Sequence, residues 1–221
     1  MTANEAYVRF LTKVNQNLKS NNVSAGKDRF VLLFNEEQQR LVDYTLDKKN
    51  EDYIRNIQKL LVTDTLPKLF EDNNKAIFDL PSNYYELSSA YAFGKKEGCS
   101  QDRISLFEIK DFDSEEIVTD ENNKPDWDYR QAPYYIGEDK VKVFYEDFTV
   151  DSVYLTYYRK PRNIDLDGYI KIDGTASTNV DPEMDDDFTN RVISMCAESF
   201  FRNYPNPNSV TLNKDRIITN T

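Results

Sequence analysis

The sequence predicts an α+β fold: a helical bundle, made of N-terminal helices plus a C-terminal helix, with a β-rich insertion and an extended C-terminal tail. Three observations predict it. Apolar residues recur at three- and four-residue spacing in the first third of the chain, which is the helical signature. Beyond Thr63 the period shifts to two, as in half-buried strands. An apolar stripe of helical period returns after Pro182. These shifts place the bundle in 1–75 and 180–204, the β-rich insertion in 76–179 and the tail in 205–221. Helices and strands segregated along the chain mark α+β rather than an alternating fold.

The first helix is expected over 3–19. Thr2 and Glu5 have the spacing of a capping box, and Tyr7, Phe10, Leu11, Val14 and Leu18 share one face. Asn21 and Asn22 end it, and Ser24-Ala25-Gly26 turns the chain. Val31-Leu32-Leu33-Phe34 either finishes a helical turn or crosses the core extended. Asn35 with Gln38 reads as a second capping box, opening a helix over 35–61 that carries Leu41, Val42, Thr45 and Leu46. Tyr53, Ile54, Ile57, Leu60 and Leu61 continue its stripe.

In the insertion, Leu87, Ser89, Tyr91 and Phe93 share a face. Ile104 and Leu106 share another, with Ile109 out of phase. Val141, Val143 and Tyr145 form a third set, and Val153, Leu155 and Tyr157 a fourth, with Tyr154 and Tyr158 opposite. Residues 111–133 read as a long acidic loop, with or without one short helix. Asp181 before Pro182 reads as an N-cap, and Met184, Phe188, Val192, Met195, Cys196 and Phe200 form the face of the last helix. Tyr204-Pro205-Asn206-Pro207 stops it.

Composition narrows the function. None of the 221 residues is histidine, which removes Ser-His-Asp and Cys-His catalysis and histidine-ligated zinc. The two cysteines, Cys99 and Cys196, are too far apart for a CxxC motif and read as small buried hydrophobes. The net charge of −11 argues against gripping nucleic acid, though not against an acidic wall that DNA slides past. Fifteen tyrosines suit half-wet surfaces such as interfaces. No stretch approaches the roughly 20 apolar residues of a spanning helix, so no membrane partner is expected.

Few constellations invite chemistry. Asp181, Glu183, Asp185, Asp186 and Asp187 are the densest acids. They lack the spacing and central glycine of a calcium loop and read better as first-turn charges that favour the helix dipole. Asp165, Asp167, Asp173 and Gly174 form a looser group. Trp127 between Asp126 and Asp128 suggests a sugar platform, but neighbouring loop acids are ordinarily just solvated. Gly94-Lys95-Lys96 lacks a phosphate-loop pattern. Arg159-Lys160-Pro161-Arg162 is the one basic knot and reads as a strand end in solvent. No catalytic, metal or cofactor-binding residue is expected, and the protein reads as a non-enzyme. In the tail, Val210 and Leu212 alternate with polar residues, and Ile217 and Ile218 find no core in so short a segment. These four are the candidate partner interface.

Phe78-Asp79-Leu80-Pro81-Ser82-Asn83-Tyr84-Tyr85-Glu86-Leu87 opens the strand region, and Val153-Tyr154-Leu155-Thr156-Tyr157-Tyr158-Arg159-Lys160-Pro161 closes it. Helices, then LP-x-x-Y, then strands ending Y-x-R-x-P, then a final helix, resembles the head-to-tail adaptor ring proteins of short-tailed bacteriophages. The nearest group is that of tail tubular protein A and the gatekeeper adaptors, and the low-glycine, Asn- and Asp-rich style is most like a ring protein of crAss-like phages. The resemblance implies a structural virion protein assembled in the host cytoplasm, a dodecameric homo-oligomer below the portal protein that also meets the next tail or ring protein. Genomic DNA would pass through its lumen during packaging, retention and ejection without being read. The tail would reach the portal or an adjacent subunit. A second expectation from the residues, of a different class, is an acidic, aromatic-rich binding module such as a glycan-binding or tail-fibre accessory domain, with Trp127 and the tyrosines stacking on sugars.

Overall fold

A computed structural model describes residues 1–17, 25–48, 51–72, 74–110, 120–121 and 123–202. The chain divides into two compact units, Met1–Lys59 with Pro161–Thr221, and Leu60–Lys160. The architecture is mixed α/β, organised by one curled eight-stranded sheet. This corrects the expected α+β bundle with a β-rich insertion: the sheet dominates, and it begins earlier than the sequence pattern suggested.

The helical unit holds α1 (Ala3–Asn17), α2 (Lys27–Lys48), α3 (Glu51–Ile57) and α4 (Asp186–Arg202) among the described residues. Thr2 caps α1, its Oγ1 accepting from the Glu5 amide at 3.2 Å, while the Glu5 carboxylate turns to Arg9 at 2.9 Å. The buried stripe of α1 is Ala3, Ala6, Phe10 and Val14; Leu11 is only half-buried. Phe10 reaches Phe30 of α2 at 5.0 Å and Phe200 of α4 at 5.8 Å between ring centroids, so one aromatic cluster ties the three helices. Val31 to Phe34 are all helical, within α2.

Two expected helix starts are wrong, for one reason: the polar side chains had tertiary partners. Asn35 and Gln38 do not open a helix, because α2 already runs through them. The Asn35 side-chain amide accepts from the Ile164 N–H at 2.8 Å and donates to the Ile164 carbonyl at 3.2 Å. Gln38 donates to the Arg162 carbonyl at 3.0 Å. Asp181 does not cap α4; its Oδ1 accepts from the Ala3 N–H at 2.7 Å, at the start of α1. The cap is Asp185, which accepts from the Phe188 N–H at 2.8 Å.

The sheet unit contains β1 (Leu61–Leu66), β2 (Lys68–Asp72), β3 (Lys75–Asp79), β4 (Tyr84–Lys95), β5 (Asp102–Glu108), β6 (Gln131–Gly137), β7 (Lys140–Phe144) and β8 (Thr149–Arg159). Their spatial order is β1-β8-β4-β5-β6-β7-β3-β2. Every pairing is antiparallel except β5 with β6. The first and last strands of this order are consecutive in sequence, with only Pro67 between them. One residue spans no more than a few ångströms. The sheet must therefore curl until its two edges meet at Pro67, and proline suits that bend because it donates nothing to a ladder.

Curling explains which side chains face in. Val153, Leu155 and Tyr157 of β8 are wholly buried, and the neighbouring β4 presents Ala90, Ala92 and Gly94 beside them. A Cβ on Gly94 would stand 2.4 Å from the Thr149 carbonyl oxygen, so only glycine fits there. Tyr91 and Phe93 take the other face, where Tyr91 stacks on Tyr154 at 5.0 Å. Ile109, out of phase with Ile104, likewise joins Tyr135 and Phe144 outside the main cluster.

Candidate functional site

The helical unit carries an open groove of about 1250 Å³. One wall is the face of α2 that bears Asp28, Leu32, Asn35, Glu36, Gln39 and Asp43, turned away from the Phe30, Phe34 and Leu41 face that meets the core. The other wall is Asn163 with Tyr169 to Asp173. Three large apolar side chains stand open to solvent here: Leu32 is 59% exposed, Ile170 75% and Ile172 fully. Single exposed apolar residues need no explanation, but three lining one groove do.

The wall is braced. Asp165 is buried, and its Oδ1 accepts from the Tyr169 hydroxyl at 2.7 Å and the Leu166 N–H at 2.9 Å. Its Oδ2 accepts from the Thr178 N–H at 3.1 Å and pairs with Lys171 at 2.8 Å. Burial alone would push this carboxyl up; the bonds from Lys171, Tyr169, Thr178 and Leu166 outweigh it and hold the pKa at about 2. Burial, then the bond to Asp165, pushes the Tyr169 hydroxyl up to about 12. Backbone bridges join Asp165 to Val180 and Ile170 to Ala176. The tip turns at Asp173-Gly174, where Gly174 has φ +81° and Asp173 accepts from the Thr175 N–H at 2.9 Å. The base is pinned to α2 by Asn35, and Lys27 donates to the Asp167 carbonyl at 2.8 Å. Ile170 and Ile172 are therefore held out by a frame with its own bonds.

Four carboxylates line the groove, Asp28, Glu36, Asp43 and Asp173, against three cations, Arg29, Arg40 and Lys171. Lys171 is committed to Asp165, and Arg40 faces the buried Glu37 at 3.7 Å. Arg29 lies over the Phe200 ring at 4.6 Å. The lining thus carries both signs, with one more carboxylate than cations.

The other constellations resolve into structure. The acids near α4 diverge: Asp181 and Asp185 hold helix starts, and Glu183 accepts from the Arg162 N–H at 2.7 Å. Among the described residues no three acidic or thiol groups converge on one point. Trp127 is 4% exposed, packs on Phe148 and is covered by Arg130 at 4.1 Å, so its ring faces no solvent. Asp126 beside it closes a turn, accepting from the Asp128 and Tyr129 N–H groups. Gly94 and Lys95 lie inside β4. Cys196 is buried, and burial pushes its thiol up; Cys99 is exposed. The basic knot divides, Arg159 ending β8 and Arg162 pairing with Glu183 at 3.8 Å.

The tail candidates Val210, Leu212, Ile217 and Ile218 lie outside the described residues. Leu32, Ile170 and Ile172 went unread, yet the sequence held the signals. Four consecutive apolar residues cannot all face one side of a helix, and at 100° per residue Leu32 falls opposite Phe30 and Phe34. Ile170-Lys171-Ile172 alternates just before Asp-Gly, the mark of a hairpin arm.

The two segments that carry the phage resemblance meet in space. Tyr84 pairs with Arg159 and Glu86 with Tyr158 across β4 and β8. Lys160 N–H donates to the Asn83 carbonyl at 2.8 Å, and Tyr84 packs on Tyr157 at 5.6 Å. The Tyr157 hydroxyl is shared between Asp64 at 2.7 Å and Asn83 at 2.9 Å. The chain matches no protein-family model and no curated protein.

Proposed function

We propose that this protein is a structural subunit of a homo-oligomeric ring, the head-to-tail connector of a short-tailed phage, and that it performs no catalysis. The observation that carries the reading is the groove. Ile170 and Ile172 are held in water on a frame braced by Asp165, facing Leu32 of α2, and covering each isoleucine would contribute up to about 1.5–3 kcal/mol. A fixed apolar surface within a lining of mixed charge fits a permanent protein neighbour. The meeting of the LP-x-x-Y and Y-x-R-x-P segments at one corner of the sheet adds support, because the resemblance then rests on a single structural unit rather than two short coincidences.

The net charge of −11 suits a channel wall that repels the DNA backbone. The portal and the next ring or tail protein are the partners the reading implies. Native mass spectrometry of the full chain tests it. A closed oligomer, a dodecamer on the phage reading, is the expected result. A chain that stays monomeric at high concentration, and fails to join portal protein, overturns the proposal. The same material is expected to bind double-stranded DNA weakly or not at all at physiological salt. Tight binding that falls steeply with salt would contradict the acidic-wall role.

A further inference from the structure

We infer that Lys27, Asp167 and Gly168 form a self-modification site, at which the Gly168 backbone nitrogen closes on the Asp167 side chain to give a succinimide and then isoaspartate. The site stands apart from the ring reading: it lies in the chain that carries Ile170 and Ile172, whatever covers them.

The sequence supplies its own control. It contains two Asp-Gly pairs, Asp167-Gly168 and Asp173-Gly174, and no Asn-Gly. An acid followed by glycine is the pair best able to cyclise, because a residue with no Cβ lets its backbone nitrogen approach the neighbouring carboxyl carbon. Both glycines take positive φ, +94° at Gly168 and +81° at Gly174, and both pairs are exposed. Sequence and local backbone therefore treat the pairs alike, and hydrogen bonds separate them.

At Asp173-Gly174 both reacting groups are engaged. The Gly174 N–H donates to the Lys171 carbonyl at 2.9 Å. Asp173 Oδ1 accepts from the Thr175 N–H at 2.9 Å and from the Thr175 hydroxyl at 2.7 Å. At Asp167-Gly168 the nitrogen is open: among the described residues the Gly168 N–H has no hydrogen-bond partner. The Asp167 side chain is 60% exposed. The Lys27 ammonium lies against this pair, donating to the Asp167 carbonyl at 2.8 Å and standing 3.5 Å from Asp167 Oδ1. A Cβ placed on Gly168 would meet the same ammonium nitrogen at 3.3 Å.

Lys27 thus touches both halves of the reaction. As the Gly168 nitrogen gives its proton to water, negative charge spreads onto the Asp167 carbonyl oxygen, where the ammonium already sits. The nitrogen then bonds to Cγ of the neutral carboxyl. The carboxyl C–O bond breaks, and the departing oxygen leaves as water with a proton from Lys27 or solvent. The ring is one water lighter than the starting chain. Water returns at either carbonyl: opening at Cγ restores aspartate, and opening at the main-chain carbonyl leaves isoaspartate, with one more carbon in the backbone. That carbon upsets the spacing between the carbonyl held by Lys27 and the Asp167 N–H, which donates to Asn179 Oδ1 at 3.1 Å. Modification therefore loosens two pins of the groove wall.

The test follows the full-length protein through prolonged incubation and locates isoaspartate by methyltransferase labelling and peptide mapping. The expected result is isoaspartate at 167 in several-fold excess over 173. Equal amounts, an excess at 173, or none at either position overturns the inference. Asp167→Asn and Asp173→Asn then give both sites the same neutral amide, which loses ammonia on cyclising. The first is expected to react several-fold faster than the second in the folded protein, and at a matching rate in urea. A difference that persists in urea would belong to the residues after each glycine, Tyr169 and Thr175, and would remove the structural basis. Adding Lys27→Gln to the Asp167→Asn chain is expected to slow the loss of ammonia several-fold, and Lys27→Arg to restore most of it. An unchanged or faster rate with Lys27→Gln overturns the part given to the ammonium.

Discussion

The sheet unit leaves single apolar side chains open, Leu69, Phe70 and Tyr129 among them, whereas the helical unit gathers three along one groove. Eight strands curl until β1 and β2 meet at Pro67, and the strands supply their own cover: Phe78, Ile104, Tyr134, Val143, Leu155 and Tyr157 fill one cluster. In the helical unit the inner face of α2 is equally dry, with Phe30, Phe34 and Val42 fully buried. Its outer face, however, lines a groove with Leu32, Ile170 and Ile172 in water. The sheet buries most of its apolar surface by curling, and a few helices on one core cannot do the same. The helical unit uses polar pins instead, Asn35, Gln38 and Asp165, to hold irregular chain against a helix. Such pins order the backbone without covering apolar side chains, so they create a presented surface.

The comparison can be broken first at the two cores. Phe188→Ala is expected to destabilise the helical unit by about 3–5 kcal/mol, since the ring is buried and its loss leaves a cavity. Leu155→Ala is expected to cost about 2–5 kcal/mol in the sheet. Trp127 is the only tryptophan and sits in the sheet cluster, so its fluorescence during denaturant unfolding reports that unit, and far-ultraviolet dichroism follows the helices. A loss below 0.5 kcal/mol at either site would mean the core has been drawn in the wrong place.

The pins come next. The Asp165 carboxyl has a folded pKa of about 2 against an unfolded value near 3.9. A depressed carboxyl stabilises the fold above its unfolded pKa, and that contribution disappears as pH falls through the folded value. The stabilisation, about 2.5 kcal/mol at most, is thus complete above about pH 5 and is lost on descending through about pH 2 towards about pH 1. Asp165→Asn is expected to remove most of it at neutral pH and to flatten this part of the stability–pH curve. An unchanged curve would show that the wall is held by its backbone bridges alone.

Smaller effects sharpen the picture. Leu11→Ala is expected to cost no more than about 1 kcal/mol, because Leu11 is only half-buried where Phe10 is wholly so. A loss as large as that of Phe10→Ala would place Leu11 in the core after all. At the groove, Ile172→Ser is expected to leave stability within about 0.5 kcal/mol while weakening self-association. A drop in the unfolding midpoint would instead make Ile172 part of the fold rather than of a contact.

Long amphipathic helices were legible where one face alone was buried. The α1 stripe through Phe10 and Val14 and the α4 stripe through Phe188, Val192 and Phe200 follow directly from spacing. Strands half-open to water were legible too, as in Val153, Leu155 and Tyr157. Strands that lost the alternation were not. Ala76, Ile77 and Phe78 of β3 are all buried, as are Ala132 to Tyr135 of β6, so neither shows a period of two. The hairpin between β6 and β7 hid for another reason: Glu138 and Asp139 both take positive φ without the usual Asn-Gly. Leu60 and Leu61 seemed to extend a helical stripe, whereas Leu61 begins β1.

Charge, the absence of histidine and the apolar periods are properties of the chain itself, and by them the sequence alone determined an acidic, tyrosine-rich protein with helices at both ends and strands between. Which polar side chain bonds to which distant backbone group was decided only by the tertiary structure. Asn35 looked like a cap because caps are local, and its partner, Ile164, lies far along the chain. The curl of the sheet is equally non-local: nothing in Leu61–Leu66 or Lys68–Asp72 says that one pairs with β8 and the other with β3. The groove follows from both, since a helix period shows that Leu32 faces outward, but only the braced hairpin shows that Ile170 and Ile172 face it across a trough. Local periodicity reports how much of a residue is buried; contacts between distant segments determine what it is buried against, or left open for.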